Sequence, residues 1–240
     1  MRRRRPRYGA MTPEKHFHEE LAEVNDMLLG MSSLVLEIFD DAVESVLTGN
    51  PEQARKVIDE RGGVDSLEVA IEERCLALIA LHQPVAVDLR MIITAVNIIR
   101  DLERIDDISI DICQDALGLH ELKNKPDTLF DLPALARVSA SMVHDAVRAF
   151  VKRDPVWARR VCERDDEADE LERKIYRDII AYAGNNPAEV AACVHLLTVA
   201  RALERIADHS TNIGEMVVYL MTAKIIKHHH DVDVEEGAGA

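Results

Sequence analysis

The sequence predicts an all-α protein built from two tandem repeats of an antiparallel three-helix bundle, with six long helices in all. Apolar residues recur at helical spacings of three and four over nearly all of residues 13–226. Turn-forming residues are scarce, with ten Gly and eight Pro in 240 residues, which argues against a sandwich or barrel with many tight connections. An internal repeat then divides the helices into two bundles of about 100 residues each, a normal domain size.

The helix boundaries are predicted from prolines and capping residues. Asn50-Pro51 and Asp154-Pro155 each place a capping side chain directly before a proline at the first helical position. Asn50 followed by Gln53 also resembles a capping box. The six predicted helices span residues 13–48, 51–82, 84–119, 133–153, 155–183 and 187–226.

The predicted domain organisation has five parts. The first repeat spans residues 13–122 and the second spans 133–227, with a polar linker at 123–132 between them. A basic leader at 1–12 and an acidic tail at 228–240 are predicted to be flexible and solvated. The arginine run of the leader leaves contact with a membrane surface or nucleic acid open as an alternative to a disordered leader.

Composition excludes several classes of protein. The net charge of −15 and the pI near 5.1 argue against a nucleic-acid partner, because phosphate contacts need clustered Lys and Arg. No stretch approaches the roughly 18 apolar residues of a membrane span, and no signal sequence is evident. Four cysteines without C-x-x-C spacing indicate buried thiols in a reducing compartment, hence the cytoplasm. These cysteines are Cys75, Cys113, Cys162 and Cys193.

The internal repeat is visible in two places. Residues 102–112 and 203–213 are identical at seven of eleven positions, and both begin Leu-Glu-Arg-Ile. Further upstream, matching residues are separated by 104 positions. The upstream pairs include Asp65 with Asp169, Leu67 with Leu171, Glu68 with Glu172 and Ile71 with Ile175. The chain is therefore two copies of one three-helix unit.

Each copy carries an acidic Glu-x-x-x-Asp motif in its last helix. The motif is Glu103 with Asp107 in the first copy and Glu204 with Asp208 in the second. A spacing of four places both carboxylates one turn apart on the same helix face, where like charges repel. Both motifs continue a largely apolar row, so the carboxylates lie beside the core and need a cation or hydrogen-bond donors.

A second acidic pair, Asp165 and Asp169, lies on the helix expected to pack alongside. Two helices that each offer two carboxylates favour a hard-oxygen site for Mg²⁺, Mn²⁺ or iron, to which His209 and Glu215 could add ligands. In the first copy Arg61 takes the place of Asp165, so we predict weak or absent metal binding there. The alternative interpretation is that all these acids are solvated and paired with neighbouring arginines.

Three functional classes are compatible with such a fold. A non-enzymatic adaptor is favoured, because the sequence has no P-loop, no Gly-rich dinucleotide turn and no plausible set of nucleophile and base. A carboxylate-bridged di-iron enzyme needs Glu-x-x-His pairs, and none of the ten histidines has a Glu three residues before it. A phosphotransfer domain would use an exposed helical histidine such as His144 or His209.

Over residues 14–226 the sequence resembles the PhoU family. The resemblance is carried by Gln-Pro-x-x-x-Asp-Leu-Arg at 83–90 and by Glu-Arg-Ile-Ala-Asp-His-Ser-Thr-Asn-Ile at 204–213. The duplicated Leu-Glu-Arg-Ile-x-Asp string within a repeated three-helix frame adds to it. The same family frame implies two tandem three-helix repeats, each with an E(D)-x-x-x-D signature.

The resemblance implies a cytoplasmic, non-enzymatic negative regulator of inorganic phosphate uptake. Such proteins act on the phosphate ABC transporter, through its ATPase subunit, and on phosphate-starvation signalling through a phosphate-sensing histidine kinase. Many are homodimers, and they reach the inner membrane only through their partners. Regulation of a different phosphate carrier is the alternative that the sequence leaves open.

The resemblance also implies metal binding at the acidic motifs. The implied metals are iron, zinc, Mg²⁺ or Mn²⁺, and the sequence does not choose among them. The implied ligands are Asp65, Glu103 and Asp107 in the first copy, and Asp165, Asp169, Glu204 and Asp208 in the second. Arg61 departs from the acidic position of the family, which again weakens the first site.

Overall fold

The structure, a computed structural model, describes residues 13–60, 62–227 and 230–231. These residues form eight α-helices, one turn of 3-10 helix at Pro187–Glu189, and two antiparallel two-residue strands. The helices are α1 Pro13–Thr48, α2 Pro51–Asp59, α3 Gly63–His82, α4 Ala86–Glu121, α5 Leu132–Lys152, α6 Pro155–Cys162, α7 Asp165–Asn185 and α8 Val190–Thr222. The strands are β1 Ile226–Lys227 and β2 His230–Asp231.

The predicted all-α fold with two tandem three-helix repeats is confirmed. In the first repeat α1, the pair α2–α3 and α4 pack together, and in the second α5, the pair α6–α7 and α8 do the same. The prediction of one continuous second helix per repeat is wrong, however. The helix predicted at 51–82 is divided into α2 and α3, and the helix predicted at 155–183 is divided into α6 and α7.

The two breaks have different local causes. In the first repeat Gly62 has a φ of +113°, a backbone conformation that residues other than glycine rarely adopt. In the second repeat the amides of Glu163 and Arg164 bond the carbonyls of Arg159 and Val161, which closes α6 in a turn. Arg61, on which the predicted weakness of the first site depended, lies outside the described residues.

The predicted N-caps at Asn50 and Asp154 are present. Each side chain accepts hydrogen bonds from the backbone amides two and three residues later. The predicted capping box is wrong, because Gln53 does not reach back to Asn50. Its amide nitrogen donates to Asp41 Oδ1 at 3.1 Å and to Glu44 Oε2 at 2.8 Å, which ties α2 to α1.

The two repeats share one core. Helices α4 and α8 run antiparallel between them, and Ile112 of α4 faces Val199 and Leu203 of α8 across an apolar space that α1 and α5 close. Two histidine–carboxylate pairs, both between α4 and α8, flank this contact. His209 Nδ1 lies 2.9 Å from Asp101 Oδ1, and His195 Nδ1 lies 2.7 Å from Asp115 Oδ1.

The remaining predictions concern cysteines and chain segments. All four cysteines are buried free thiols, as predicted. The connection between α4 and α5 comprises residues 122–131. The predicted leader, 1–12, lies outside the described residues, as does the predicted tail apart from His230 and Asp231. Among the described helices, none combines the length and apolar composition that crossing a membrane requires.

Candidate metal centre

The second repeat places its four predicted ligands on two adjoining helices, two on each. Asp165 opens α7 and Asp169 follows one turn later, while Glu204 and Asp208 lie one turn apart on α8. Helix α7 packs along α8, so the two acidic pairs face each other. Their proximity is evident in the electrostatics, because Asp165 and Asp169 both disfavour the charged form of Asp208.

Glu204 is the most strongly perturbed carboxyl of this cluster. Burial of its side chain, of which 12% is exposed, raises its pKa from 4.5 to about 7, and the negative charges of Asp208 and Asp169 add to this effect. The nearest cation is Arg201, whose Nε lies 3.8 Å from Glu204 Oε2. That oxygen is buried and has no hydrogen-bond partner among the described residues. It is therefore a buried acceptor without a hydrogen-bond donor, and the cation nearest to it is Arg201 at 3.8 Å.

The other three acids are differently placed. Desolvation raises the pKa of Asp208, and Asp165 and Asp169 raise it further. Asp165 Oδ1 accepts a hydrogen bond from Thr211 Oγ1 at 3.1 Å, which fixes the start of α7 to α8. Asp169 forms an ion pair with Arg173 on its exposed side. The cluster thus has a buried edge at Glu204 and a solvent edge at Asp169.

Sequence reasoning missed one member in each repeat. Glu172, with 15% of its side chain exposed, adds to the negative field at Glu204 and lies 3.9 Å from Arg201. Its equivalent Glu68 plays the same part in the first repeat, where it raises the pKa of Glu103. A signal was available, because Glu68 and Glu172 are identical residues at the repeat offset of 104, although neither belongs to the Glu-x-x-x-Asp motif.

The first repeat has a similar but partly neutralised cluster. Burial raises the pKa of Glu103, and Asp107 is the next cause. The pKa of Glu68 is also raised, first by burial and then by the negative charges of Glu72 and Asp65. Arg104 lies between the two motif acids, with Nε 3.5 Å from Glu103 Oε2 and Nη1 3.6 Å from Asp107 Oδ2.

The arginine that follows the motif glutamate behaves differently in the two repeats. Arg104 contacts both motif acids of the first repeat. Its equivalent Arg205 is exposed and forms no ion pair with any described residue. Each motif glutamate therefore has an arginine nearby, Arg104 at 3.5 Å from Glu103 and Arg201 at 3.8 Å from Glu204. Among the described residues, the repeats differ in that Arg104 also contacts the motif aspartate Asp107, whereas Asp208 forms no such ion pair.

Two further candidate ligands are directed elsewhere. His209 points away from the cluster to Asp101 of α4, with 20% of its side chain exposed. Glu215 is buried two turns beyond Asp208, where its charge adds to burial in raising the pKa of Cys162. The structure therefore does not bring His209 or Glu215 to the carboxylate cluster.

The cluster fits a hard cation by its chemistry. It offers carboxylate oxygens, raised pKa values and the unbonded Glu204 Oε2, all of which a nearby positive charge would relieve. Within the described residues, no group of three or more His, Cys, Asp or Glu side chains lies close enough together to hold a metal ion. The site is a concentration of acidic oxygen donors without a ready-made cage.

The fold and the site together define a class of protein. It is a duplicated α-helical bundle with acidic residues clustered on α3 and α4 in the first repeat and on α7 and α8 in the second. A family model described as the PhoU domain matches residues 28–116 and 132–217, once in each repeat. The chain therefore belongs to the PhoU family.

Individual relatives agree with this assignment. The chain is 38% identical over 213 residues to a phosphate-specific transport system accessory protein PhoU homolog of Aquifex aeolicus, covering 88% of this chain and 96% of that protein. It is 39% identical over 219 residues to homolog 1 of Thermotoga maritima, covering 90% and 94%. The crystal structure of PhoU from Pseudomonas aeruginosa superposes with a TM-score of 0.82 at 30% identity, covering 86% and 99%. For the phosphate transport system regulatory protein PhoU from Streptococcus pneumoniae, the TM-score is 0.80 at 28% identity, covering 88% and 99%.

Proposed function

We propose that this chain is a cytoplasmic, non-enzymatic regulator that restrains inorganic phosphate uptake when phosphate is plentiful. Its proposed partners are a phosphate ABC transporter, through the ATPase subunit, and a phosphate-sensing histidine kinase that controls phosphate-starvation genes. It would act as a homodimer and reach the membrane only through these partners. The observation that carries the proposal is its nearly full-length relation to accessory proteins of phosphate-specific transport.

The structure supports an adaptor role in its own terms. Nearly the whole described chain is helix, and long helical faces bind partners through complementary charge and apolar anchors. The strongest concentration of perturbed titratable groups is the carboxylate cluster, which suits cation binding.

A phosphate-starvation reporter tests the regulatory function directly. In a strain that lacks this protein and grows with abundant phosphate, we expect the reporter to stay on, because the restraint on the kinase is gone. Returning the gene should switch it off. A reporter that stays silent in the deletion strain contradicts this proposal, and would favour regulation of a different phosphate carrier.

We further propose that the carboxylate cluster of the second repeat holds a metal ion. Asp165, Asp169, Glu204 and Asp208 would be its ligands, and Asp65, Glu103 and Asp107 would form a weaker site in the first repeat. Bound iron, Zn²⁺, Mg²⁺ or Mn²⁺ would supply positive charge to a cluster in which carboxylates outnumber the neighbouring cations. The residues of the chain hold the four carboxylates on two adjoining helices, and Thr211 fixes the orientation of Asp165.

The two repeats should differ in metal content. Asp208→Asn is expected to remove most of the metal that co-purifies with the protein, because it deletes a charge from the less neutralised cluster. The matched change Asp107→Asn should remove little, since Arg104 already neutralises that site. Elemental analysis of the purified variants measures both. Equal losses would contradict the asymmetry, and no loss from either would contradict the metal site.

A further inference from the structure

A basic surface stands out on this acidic chain where α5 ends and α6 begins. Val151 and Val156 are 44% and 62% exposed there, and Trp157 lies half-buried between charged neighbours. We call this surface the basic corner. It consists of Arg148, Val151, Lys152, Arg153, Val156, Trp157 and Arg160.

The four cations of the basic corner have no anionic partner within the described part of the chain. Arg148, Lys152, Arg153 and Arg160 are all exposed, and none forms an ion pair with a described residue. Arg148 instead covers the indole of Trp157, with Cζ 4.2 Å from the ring centroid. Arg153 reaches only the sulfur of Met91, at 3.5 Å. The acid within this stretch, Asp154, accepts hydrogen bonds from the first amides of α6, so the corner is a positive, partly apolar surface whose cations form no ion pair with a described residue.

The equivalent corner of the first repeat has the opposite character. At the repeat offset of 104, Glu44 takes the place of Arg148 and Gln53 takes the place of Trp157. There the amide of Gln53 donates to Glu44 Oε2 at 2.8 Å, a neutral-to-acidic contact in place of the cation–π pair. The fold alone thus does not require a basic corner, because the first repeat keeps only Lys56 of the four cations and has Thr48 and Gly49 in place of Lys152 and Arg153.

The chain itself carries a segment of complementary chemistry. Residues 231–236 read Asp-Val-Asp-Val-Glu-Glu, four acids with two valines interleaved. This segment lies beyond residue 217, where the match to the family model ends. Residues 232–240 are outside the described part of the chain.

The acidic segment is tethered close to the basic corner. Helix α6 packs on α8 so closely that a Cβ on Gly214 would lie 3.0 Å from the carbonyl oxygen of Ala158, next to Trp157. Helix α8 ends at Thr222, eight residues later, or about 12 Å along its axis. Strand β2 ends at Asp231, and the five residues from 232 to 236 can extend over about 17 Å, which is more than this distance.

We propose that the acidic segment at 231–236 docks on the basic corner of the same chain and covers Trp157. Its carboxylates face the four unpaired cations, and its valines contact the exposed Val151 and Val156. Tethering raises the local concentration of the segment, so that contacts too weak for a separate molecule suffice.

The single tryptophan of the chain gives a direct readout. Quenching of Trp157 fluorescence by acrylamide, a neutral probe, is measured on the full-length protein in low salt. The variant with Asp233→Asn, Glu235→Gln and Glu236→Gln should be quenched about twofold more strongly, because the tethered segment no longer covers the indole. Salt at about 0.5 M should raise the quenching of the wild-type protein to the level of the variant, since salt screens the charges that hold the segment. Identical quenching of wild type and variant in low salt overturns the proposal.

A matched pair of corner variants locates the effect. Arg160→Gln removes a cation of the basic corner and should raise quenching, whereas Lys56→Gln, at the equivalent position of the first repeat, should leave it unchanged. Equal effects of the two variants would mean that net charge, and not the corner, controls access to Trp157, which overturns the proposal.

Carbodiimide crosslinking identifies the occupant. This reagent joins a carboxylate to a nearby amine, and Lys152 is the amine of the basic corner. Peptide mapping should show Lys152 joined to Asp233, Glu235 or Glu236 within one chain. In a mixture of isotopically light and heavy protein, crosslinks exclusively between chains would assign the corner to a second copy. If Lys152 forms no crosslink with the segment, the occupant of the basic corner would be an acidic segment of another protein. Either result overturns docking within the chain, and neither depends on the phosphate reporter.

Discussion

Gly214→Val is expected to lower the free energy of unfolding by about 2–3 kcal/mol, which is large for an added side chain on a helix. A Cβ at position 214 would lie 3.0 Å from the Ala158 carbonyl oxygen and 3.1 Å from Cys162 Sγ. The first neighbour is backbone, so α6 has to move away from α8 to admit the side chain. The same movement would disturb Thr211, one turn away on α8, and its hydrogen bond to Asp165.

A matched change separates this packing effect from the general effect of a helical glycine. Gly30 lies in α1, is exposed, and has no atom within 4 Å of the position its Cβ would take. Gly30→Ala should therefore stabilise the protein by about 0.5–1 kcal/mol through helix propensity alone. Urea denaturation of both variants gives the comparison. A Gly214→Val protein as stable as wild type would show that α6 is not held tightly against α8.

Sequence reasoning was sufficient for the architecture because the relevant signals are local and periodic. The apolar period and the 104-residue offset identify three-helix units without knowledge of any contact. Continuous second helices were predicted because Val57 and Val64, like Val161 and Ala168, are spaced by two helical turns, although residues 59–63 and 163–167 contain no apolar side chain. In the first repeat the break depends on the φ of Gly62, which a helical glycine need not adopt. In the second it depends on which carbonyls the amides of Glu163 and Arg164 select.

The acidic cluster was only partly predictable for a related reason. The four-residue spacing showed which acids share a face of α8, but the charge state of each depends on burial and on distances between helices. Glu172 contributes from α7, outside any motif. Arg104 and Arg205 share the string Leu-Glu-Arg-Ile, yet the first contacts two motif acids and the second contacts no described acid. The shared string does not distinguish them, because rotamers decide which carboxylates they reach.

Glu204→Gln should stabilise the metal-free protein at pH 8, by roughly 2–3 kcal/mol, and the gain should shrink towards zero near pH 4.5. The pKa of Glu204 is raised to about 7 by burial and by neighbouring acids, compared with 4.5 for an unperturbed glutamate. Protonation of Glu204 therefore favours the folded state. This contribution is present below pH 4.5 and is lost as the pH rises through about 7, where the buried charge has to be accommodated. Gln resembles the protonated form and avoids that charge at every pH.

The equivalent change in the first repeat is the control. Burial also raises the pKa of Glu103, but Arg104 opposes this, so Glu103→Gln should stabilise the metal-free protein less at pH 8. Urea denaturation of the wild type and both variants, after treatment with a chelator, should be measured at several pH values between 4.5 and 8. Taking the difference from wild type at each pH removes the titration of groups that the variants share. A gain for Glu204→Gln that does not change with pH would contradict the raised pKa.

Metal should reverse the sign of the Glu204 effect. At pH 8 the ionised Glu204 is costly to the metal-free fold, and the same charge is what a cation at the second repeat would bind. Adding Mn²⁺ should therefore stabilise the wild-type protein and leave Glu204→Gln nearly unchanged, since binding to the folded state alone raises stability. If Mn²⁺ stabilises both proteins equally, the cation binds elsewhere. In that case the cost of burying ionised Glu204 has no connection with metal binding. If Mn²⁺ stabilises only the wild-type protein, the same carboxylate both binds the metal and destabilises the metal-free fold.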